Sequence, residues 1–548
     1  MVGGMRCRVA AVLVGAVTML VACGTRAGTG PTVTTVDSSD VVARILRHCT
    51  DLESPDLGEG TVCFDNGFRL RTDDFSFANW GRSARADANV SVQTLVDLFG
   101  HGAVCMPGGP VGECTPRPAA RQVLVEWNTA LAGGRCEGMA ALAVRFKMGL
   151  DHPSDFAPGA ATVAELSRSD GRLESWIAYW WATQFINEIA GHAEKSRSLS
   201  PLEIVERLVL GLADRKVGYT LGLYHGSGGH SVVPYAVTRR DRLFVVHVYD
   251  NNHPNERREI AVDPDTDRWN YVDAHPGETW SGGTGTFELT RMSARQGPFT
   301  CPFCAVPEDG SPTIVTVASR DAAAPGHVLV RSDAGRIEST PDGVTSTIEG
   351  ATVSPVKGDG GSLTVSVPAS VGSFTVSVRR ARSAVPAGDV VVTVRRPGHA
   401  GVQVSGDLAR VGVDDPDDDP LLRIEARSTT IVAPTSGRVG VSVETGNDIV
   451  QRRLRPGETM ILSRHSPDGI ELALKGAGRI EQARVVVPVR TVGTSNDIEV
   501  ADEGDAVVLA GSVVTPVTVG TRAKVNFVPR TEPTTTTVSN SIVVSEPD

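Results

Sequence analysis

The chain lacks the features of several large classes of protein. After its N-terminal apolar run, no segment approaches the roughly 18 consecutive apolar residues of a membrane-spanning helix. It has no excess of basic residues: 53 Lys and Arg stand against 64 Asp and Glu, and the net charge is −11. Nucleic acid is therefore not expected as a partner. Aromatic residues make up only 5% of the chain, and its seven tryptophans all lie between Trp80 and Trp280. The two halves are therefore expected to have different kinds of core.

The N-terminus has the pattern of an export signal. Arg6 and Arg8 precede an apolar run over residues 9–21, which is too short to span a bilayer but suits the core of a signal peptide. The run ends in Leu20-Val21-Ala22-Cys23-Gly24, which resembles a bacterial lipobox. The resemblance implies that residues 1–22 are removed and that Cys23 is lipidated, which would anchor the protein to the outer face of the cell membrane. The alternative is an ordinary secretory signal in which Cys23 is incidental.

The cysteines single out one residue. Of the nine, Cys7 and Cys23 belong to the signal region, and six form pairs close in sequence: Cys49 with Cys63, Cys105 with Cys114, and Cys301 with Cys304. An exported chain is expected to oxidise such pairs, although six cysteines allow other pairings. Cys136 is then left over, between Gly133-Gly134 and a helical pattern. It is either a reactive thiol or a buried small apolar residue.

The length of 548 residues predicts about three domains. Residues 23–40 are rich in Gly, Thr and Ser and indicate a flexible tether. Residues 41–305 show helical patterns first and strand patterns afterwards, which predicts an α+β domain with a mainly antiparallel sheet. The helices are expected at 41–49, 91–99, 136–149, 173–189 and 201–214, with a loop over 101–120, and strands are expected at 219–224, 231–237 and 243–249.

The second half has almost entirely strand patterns. Residues 312–425 and 426–529 are predicted to form β-sandwich-like modules, and residues 530–548 a disordered tail. The acidic run Asp414-Asp415-Pro416-Asp417-Asp418-Asp419 lacks the ligand spacing of an EF-hand, so a solvated loop is favoured over a calcium site. No metal or cofactor is expected.

A hairpin in the first half brings candidate catalytic residues together. The strand patterns on either side of Thr238-Arg239-Arg240-Asp241 predict a turn centred near residue 240, which would place His230 opposite Asp250 and next to Asn251. Pro234 indicates a bulge, which leaves the register uncertain by one residue. An imidazole oriented by a carboxylate or amide is what a nucleophilic cysteine needs as its base and acid. His225 is an alternative to His230.

This order of residues resembles the papain-like cysteine peptidase superfamily. A cysteine opens a helix of the helical lobe, a histidine starts a strand of the following sheet, and an Asp or Asn follows on the next strand. The spacing from Gly229-His230 to Tyr249-Asp250 is similar to that of the bacteriocin-processing peptidases. The resemblance covers residues 41–300. It implies that Cys136 is the nucleophile, His230 the base, and Asp250 or Asn251 the orienting group. The superfamily also has a glutamine shortly before the cysteine as an oxyanion donor; Asn128 and Gln122 are the nearest candidates here, and neither stands at the expected place.

Two functions follow as expectations. The first is a membrane-tethered extracytoplasmic cysteine hydrolase, with a peptide or cell-wall peptide as substrate and transglutaminase-like acyl transfer as a variant. The second is a catalytically inactive domain in a surface lipoprotein that binds a partner through its β-rich half. Other motifs have structural interpretations: Cys301 and Cys304 are expected to form a disulfide rather than a redox pair, and Trp176, Trp180 and Trp181 are expected in the core rather than in a ligand platform.

Overall fold

The structure is a computed structural model. It describes residues 38–304, except 51–53, 55, 107–112, 213–217, 227 and 276. It also describes most of residues 310–475, where the longest gaps are 381–389 and 412–420, and short strands up to Ser545. The described residues belong to one compact unit that starts at Ser38. No helix in this described part is long and apolar enough to cross a membrane. Cys23 and the acidic run 414–419 lie outside the described residues.

Helices dominate the first part of the unit. They are α1 (Ser38–Leu46), α2 (Val92–Phe99), α3 (His101–Val104), α4 (Pro118–Leu131), α5 (Cys136–Lys147), α6 (Gly171–Ala182), α7 (Asn187–Arg197) and α8 (Pro201–Leu212). The predicted start of α8 is confirmed, since the Ser200 hydroxyl accepts a hydrogen bond from the Glu203 N–H and the Glu203 carboxylate accepts one from the Ser200 N–H.

Two predictions about the helices are wrong. The segment 101–120 is not only a loop, because it contains α3 and the start of α4, with Pro118 in its first turn. The helix predicted over 173–189 is two helices joined by a 3-10 turn (Thr183–Phe185) and an extended Ile186. Apolar residues keep their helical spacing across this break, so periodicity does not reveal it.

An antiparallel sheet follows the helices. Its strands are β1 (Thr61–Asp65), β2 (Tyr219–His225), β3 (Gly228–Arg240), β4 (Leu243–Tyr249), β5 (Arg258–Asp263), β6 (Arg268–His275), β7 (Glu278–Gly282) and β8 (Phe287–Arg291). Their order is β7-β6-β5-β4-β3-β2-β8, with β1 also paired to β3. Helix α5 packs against β3 and β2.

The β3–β4 hairpin differs from its predicted register. Its turn is formed by Asp241 and Arg242, because Arg240 faces Leu243, and a bulge lies between Pro234 and Ala236. The prediction that His230 directly faces Asp250 is therefore wrong. The register carries His230 towards Asn252, and Asp250 becomes its diagonal neighbour on the same face of the sheet, within side-chain reach.

The β-rich half contains the remaining strands. They are β9 (Thr313–Ser319), β10 (His327–Ser332), β11 (Gly335–Thr340), β12 (Gly343–Ser346), β13 (Thr352–Pro355), β14 (Leu363–Val367), β15 (Phe374–Arg380), β16 (Val390–Arg395), β17 (Val402–Gly406), β18 (Arg410–Val411), β19 (Leu422–Ile424), β20 (Ser428–Val432), β21 (Val439–Thr445), β22 (Asp448–Leu454), β23 (Thr459–Ser466), β24 (Gly469–Lys475), β25 (Val485–Pro488), β26 (Asn496–Val500), β27 (Val508–Leu509), β28 (Ala523–Phe527) and β29 (Val543–Ser545).

Most of these strands form two sheets. One has the order β12-β11-β10-β15-β19-β20-β23-β24-β25, and the other has the order β13-β14-β9-β16-β17-β21-β22-β27. Aliphatic side chains of both sheets share one core. Both sheets contain strands from each side of residue 426, so the described strands do not separate into modules there. Part of the segment predicted as a tail forms β29, which pairs with β28.

The two halves pack closely on each other. Ala318, Val356 and Val391 of the β-rich half share an apolar cluster with Trp127 and Trp181 of the helical part. Polar contacts surround this cluster: Arg395 forms an ion pair with Glu126 of α4 at 3.0 Å, and Gln403 donates to the Gln122 carbonyl at 3.0 Å. The helices and the β-rich half therefore stabilise each other.

The predicted disulfides are all formed. Cys49 is bonded to Cys63, Cys105 to Cys114, and Cys301 to Cys304. Cys136 takes part in no disulfide and is fully buried.

Candidate active site

The candidate nucleophile is the first residue of α5. The chain enters the helix through Gly134, whose φ of +146° is rarely adopted by residues with a side chain. Arg135 follows and is completely buried; its guanidinium donates to the Ala88, Gly81 and Glu174 carbonyls, and burial lowers the pKa of Arg135 to about 10. Cys136 is thus held at a helix N-terminus, the positive end of the helix dipole.

The candidate base and its partner are side by side. His230 lies at the start of β3 and Asp250 directly after β4, and His230 Nε2 is 2.7 Å from Asp250 Oδ1. Both side chains are buried, with exposed fractions of 1% and 0%. The Tyr271 hydroxyl donates to Asp250 Oδ2, and the Asn252 N–H donates to Asp250 Oδ1 at 2.8 Å.

These contacts determine the roles of the two ring nitrogens of His230. Burial alone would raise the pKa of Asp250, but the charge of His230 and the hydrogen bonds from His230, Tyr271 and Asn252 lower it to about 2. The carboxylate is therefore ionised at neutral pH and can only accept hydrogen bonds, so His230 Nε2 must donate to it. Nδ1 is left as the ring nitrogen for proton transfer.

Asn251 connects the two sides of the site. Its Nδ2 donates to the Cys136 carbonyl at 3.1 Å and to the Ser231 carbonyl at 2.9 Å, and the residue is fully buried. One amide therefore holds the first residue of α5 next to the residue that follows His230. Asp250, not Asn251, is the partner of the imidazole.

Asn79 is a site residue that sequence reasoning missed. Its Oδ1 accepts the Arg135 N–H at 2.7 Å, its own N–H donates to the Asn251 carbonyl at 2.7 Å, and its Nδ2 donates to Asn252 Oδ1 at 3.0 Å. It therefore ties the turn before Cys136 to the segment after β4. It lies 57 positions before Cys136, in the segment Asn79-Trp80-Gly81, and nothing in that segment signals this contact.

The two amides expected as oxyanion donors are used elsewhere. Asn128 Nδ2 donates to the Val90 and Leu124 carbonyls, and its Oδ1 accepts the Val90 N–H. Gln122 Nε2 donates to the Ser442 carbonyl at 3.3 Å, in the contact with the β-rich half. Both amide groups are therefore engaged in contacts with other parts of the chain.

A segment of the β-rich half, Val356–Gly358, borders the site; we call it the crossover segment. The Gly358 N–H donates to the carbonyl of Gly229, the residue before His230, at 3.0 Å. A Cβ atom built on Gly358 would lie 2.8 Å from the carbonyl oxygen of Gly134, two residues before Cys136. The crossover segment thus contacts the chain just ahead of both candidate catalytic residues. The sequence offered no signal for this contact.

The other residues considered as functional candidates lie away from the His230–Asp250 pair or are committed to other contacts. His225 is exposed, and its ring stacks on Trp280 at 5.7 Å. Trp181 is fully buried and donates to the Lys357 carbonyl at 3.0 Å, while Trp180 packs under the Arg145 guanidinium. Among the described residues, His101, Cys105 and Cys114 come close enough to resemble a metal site, but both sulfurs belong to a disulfide and cannot act as thiolate ligands.

No protein-family model matches this chain, and no curated protein or solved structure is significantly similar to it. Its function has to follow from the geometry of the site itself.

Proposed function

We propose that this protein is a membrane-tethered, extracytoplasmic cysteine hydrolase with a papain-like domain, acting as a peptidase or amidase. One observation carries the proposal: a buried His230–Asp250 pair lies beside the start of the helix that begins with Cys136, and Asn251 joins the two sides. Nucleophile, base and orienting group are the three parts that cysteine-dependent acyl transfer needs.

The reaction follows from these roles. The Cys136 sulfur attacks the carbonyl carbon of an amide, and the thiol proton passes to His230 Nδ1. The imidazolium then donates this proton to the leaving amine as the C–N bond breaks, which leaves a thioester on Cys136. Water, deprotonated by His230, hydrolyses the thioester and regenerates the thiol. An amine in place of water would give acyl transfer with the same residues.

The tetrahedral intermediate needs hydrogen-bond donors for its oxyanion. The backbone N–H of Cys136 at the N-terminus of α5 is one candidate. Asn79 replaces Asn128 and Gln122 as the side-chain candidate, because its Nδ2 would lie 2.9 Å from a Cβ atom built on Gly134. That position is at the turn that leads into the nucleophile.

The proposed location at the membrane limits which classes of substrate the protein can reach. Lipidation of Cys23 would hold the protein at the outer face of the bacterial membrane, where peptides and cell-wall peptide bonds are within reach. The β-rich half packs against the site and supplies the crossover segment, so we propose that it contributes to substrate or partner binding as well as to stability.

A thiol-reactive probe tests the proposal on the full-length lipoprotein. At mildly acidic pH an ordinary thiol is largely unreactive, whereas an activated thiolate reacts. We expect labelling of the intact protein, no labelling of Cys136→Ser, and labelling slowed about tenfold or more in His230→Ala. His225→Ala is the matched control, because it removes an exposed histidine of the same sheet and should label like the unmodified protein. Equal labelling of His230→Ala and the unmodified protein would contradict the proposal.

One observation favours the second function, a catalytically inactive surface-binding protein. Cys136 has no exposed surface, and the crossover segment contacts the residues before both Cys136 and His230. If the protein displays its β-rich half to a partner without catalysis, no probe concentration should label Cys136 in the folded state.

A further inference from the structure

A buried group of charges lies around Glu137, the residue after Cys136. The Glu137 carboxylate forms ion pairs with Arg295 and with Lys357 Nζ, the latter at 3.2 Å. Lys357 also contacts Glu288, and Glu288 forms an ion pair with Arg197 at 3.3 Å. These five side chains, which we call the charge cluster, are each at most 10% exposed.

The charge cluster carries an excess of positive charge. Burial would raise the pKa of Glu137, but Lys357 and Arg295 lower it, and Lys357 and Arg197 lower the pKa of Glu288 to about 2. Both carboxylates are therefore ionised at neutral pH. Three cations face two anions, so the cluster has one net positive charge beneath the first turn of α5. In a buried environment such a charge acts over several ångströms.

The excess charge depends on a residue from the β-rich half. Lys357 belongs to the crossover segment, and its backbone is fixed from two sides. Its N–H donates to Gln184 Oε1 at 2.8 Å, and its carbonyl accepts the Trp181 indole N–H at 3.0 Å. The ammonium at the end of the side chain forms ion pairs with both Glu137 and Glu288.

We propose that Lys357 is a positioning residue of the candidate active site, which gives the charge cluster the positive charge that stabilises the Cys136 thiolate. The inference rests on the proposed function. Without Lys357, the cluster would be neutral, and Arg295 would be the remaining cationic partner in the cluster for Glu137, the residue after Cys136. Positive charge near a cysteine at a helix N-terminus favours the thiolate, and loss of that charge favours the thiol.

The other charged and titratable side chains around the site are unchanged in both Lys357 variants. They are Arg135, Glu137, Glu174, Arg197, Tyr224, His230, Asp250, Tyr271, Glu288 and Arg295.

The test is a pH titration of the ultraviolet thiolate absorbance of the full-length protein, taken as the difference from Cys136→Ser in the same background. This signal requires no reagent to reach the buried sulfur. We expect Lys357→Met to raise the pKa of the Cys136 thiol by about one unit or more. Lys357→Arg keeps the charge and should titrate within a few tenths of a unit of the unmodified protein.

Two further variants separate an effect of charge on the Cys136 pKa from an effect of disturbed structure. One is a matched control, and the other removes a negative charge instead of a positive one. Lys147→Met removes a lysine from the other end of α5, where it forms an ion pair with Asp73 at 2.8 Å, and should leave the Cys136 titration unchanged. Glu288→Gln removes a carboxylate from the cluster and should lower the pKa of Cys136. This variant also keeps the inference testable if Lys357→Met does not fold.

The outcomes distinguish this inference from the proposed function. If the unmodified protein titrates as an ordinary thiol, with a pKa near ~8.5 or above, the proposed function fails. If its thiol is activated but folded Lys357→Met titrates identically, or Glu288→Gln raises the pKa, only the role of Lys357 is overturned.

Discussion

Asp250 is the residue whose environment sets the chemistry of the site. It is fully buried, yet its carboxylate accepts hydrogen bonds from an imidazole, a phenol and a backbone amide. The pKa of Tyr271 is raised, first by burial and then by the charge of Asp250, so the phenol remains a donor. A charge buried in this way stabilises the fold only while it is ionised.

The first prediction concerns Asp250→Asn. The pKa of Asp250 in the folded protein, about 2, is below its ordinary value. Its contribution to stability, about 2 kcal/mol, is therefore complete above about pH 4 and is lost as the pH falls towards 2. We expect Asp250→Asn to lower the free energy of unfolding at pH 7 by about that amount or more. The difference from the unmodified protein should shrink between pH 4 and pH 2 in denaturant titrations.

Asp241→Asn is the control for this prediction. Asp241 is an exposed residue in the turn of the same hairpin, and its substitution should change stability little at any pH. A pH-independent difference between Asp250→Asn and the unmodified protein would show that the carboxylate does not act through its charge.

At the residue scale, the sequence predicted that His230 and Asp250 lie together, but it did not predict the residues around them. The hairpin pattern brought His230 and Asp250 together even though the register was wrong, because a shift of two positions keeps both on one face of the sheet. Asn79 and Lys357 had no such signal. Each contacts the site through a long-range contact, and a single polar residue carries no pattern that predicts its burial.

At the scale of elements, the site depends on how α5 meets the sheet. Asn251 is one hydrogen-bonding link between the two, because its amide donates to carbonyls on both sides. Truncation of the side chain would leave two buried carbonyls without this donor, which costs roughly 3 kcal/mol. It would also free the first residue of α5 to move relative to His230.

The second prediction compares two asparagines. Asn251→Ala and Asn128→Ala each remove an amide that bridges two carbonyls, and both should lower the melting temperature. Only Asn251→Ala should also slow probe labelling of Cys136, by about tenfold or more, since it alone lies in the site. A loss of labelling in Asn128→Ala at a temperature where the protein is folded would contradict this assignment.

Helices and strands were predicted best where periodicity is local. Strand patterns at 314–318, 362–367 and 390–394 correspond to β9, β14 and β16. The break near Ile186 was missed because its contacts leave no mark on the apolar pattern. The Thr183 hydroxyl donates locally to the Trp180 carbonyl, and Arg295 donates to Thr183 from a distant part of the chain. Helix α4 was not predicted; it contacts β9, β16 and β21 of the β-rich half.

At the scale of the whole molecule, the two halves have different cores and a common boundary. The prediction of different cores is confirmed: the core between the two large sheets is almost entirely aliphatic, with Phe374 as its aromatic member, whereas tryptophans fill the cores of the first half. Composition could not predict the contact between them, which depends on α4 and the crossover segment.

The third prediction concerns the membrane anchor. Cys23→Ala should release the protein from the membrane fraction, because the apolar run at residues 9–21 is too short to hold it as a spanning helix. Fractionation followed by immunoblotting measures the release, and Cys7→Ala is the matched control that should remain bound. Retention of Cys23→Ala in salt-washed membranes would show that the lipobox interpretation is wrong.

Gly134, Gly229 and Gly358 approach one another closely, so a substitution here can change access to the site. A methyl group on Gly358 would lie 2.8 Å from the Gly134 carbonyl oxygen and 3.5 Å from the Trp181 indole nitrogen, so alanine there would act as a wedge between the halves. The fourth prediction is that Gly358→Ala increases the rate at which a neutral probe labels Cys136, without altering any candidate catalytic side chain. Gly372→Ala, which meets no atom within 4 Å, is its control. A gap at this point would make the buried thiol more accessible, so the absence of a side chain at residue 358 limits how open the site is.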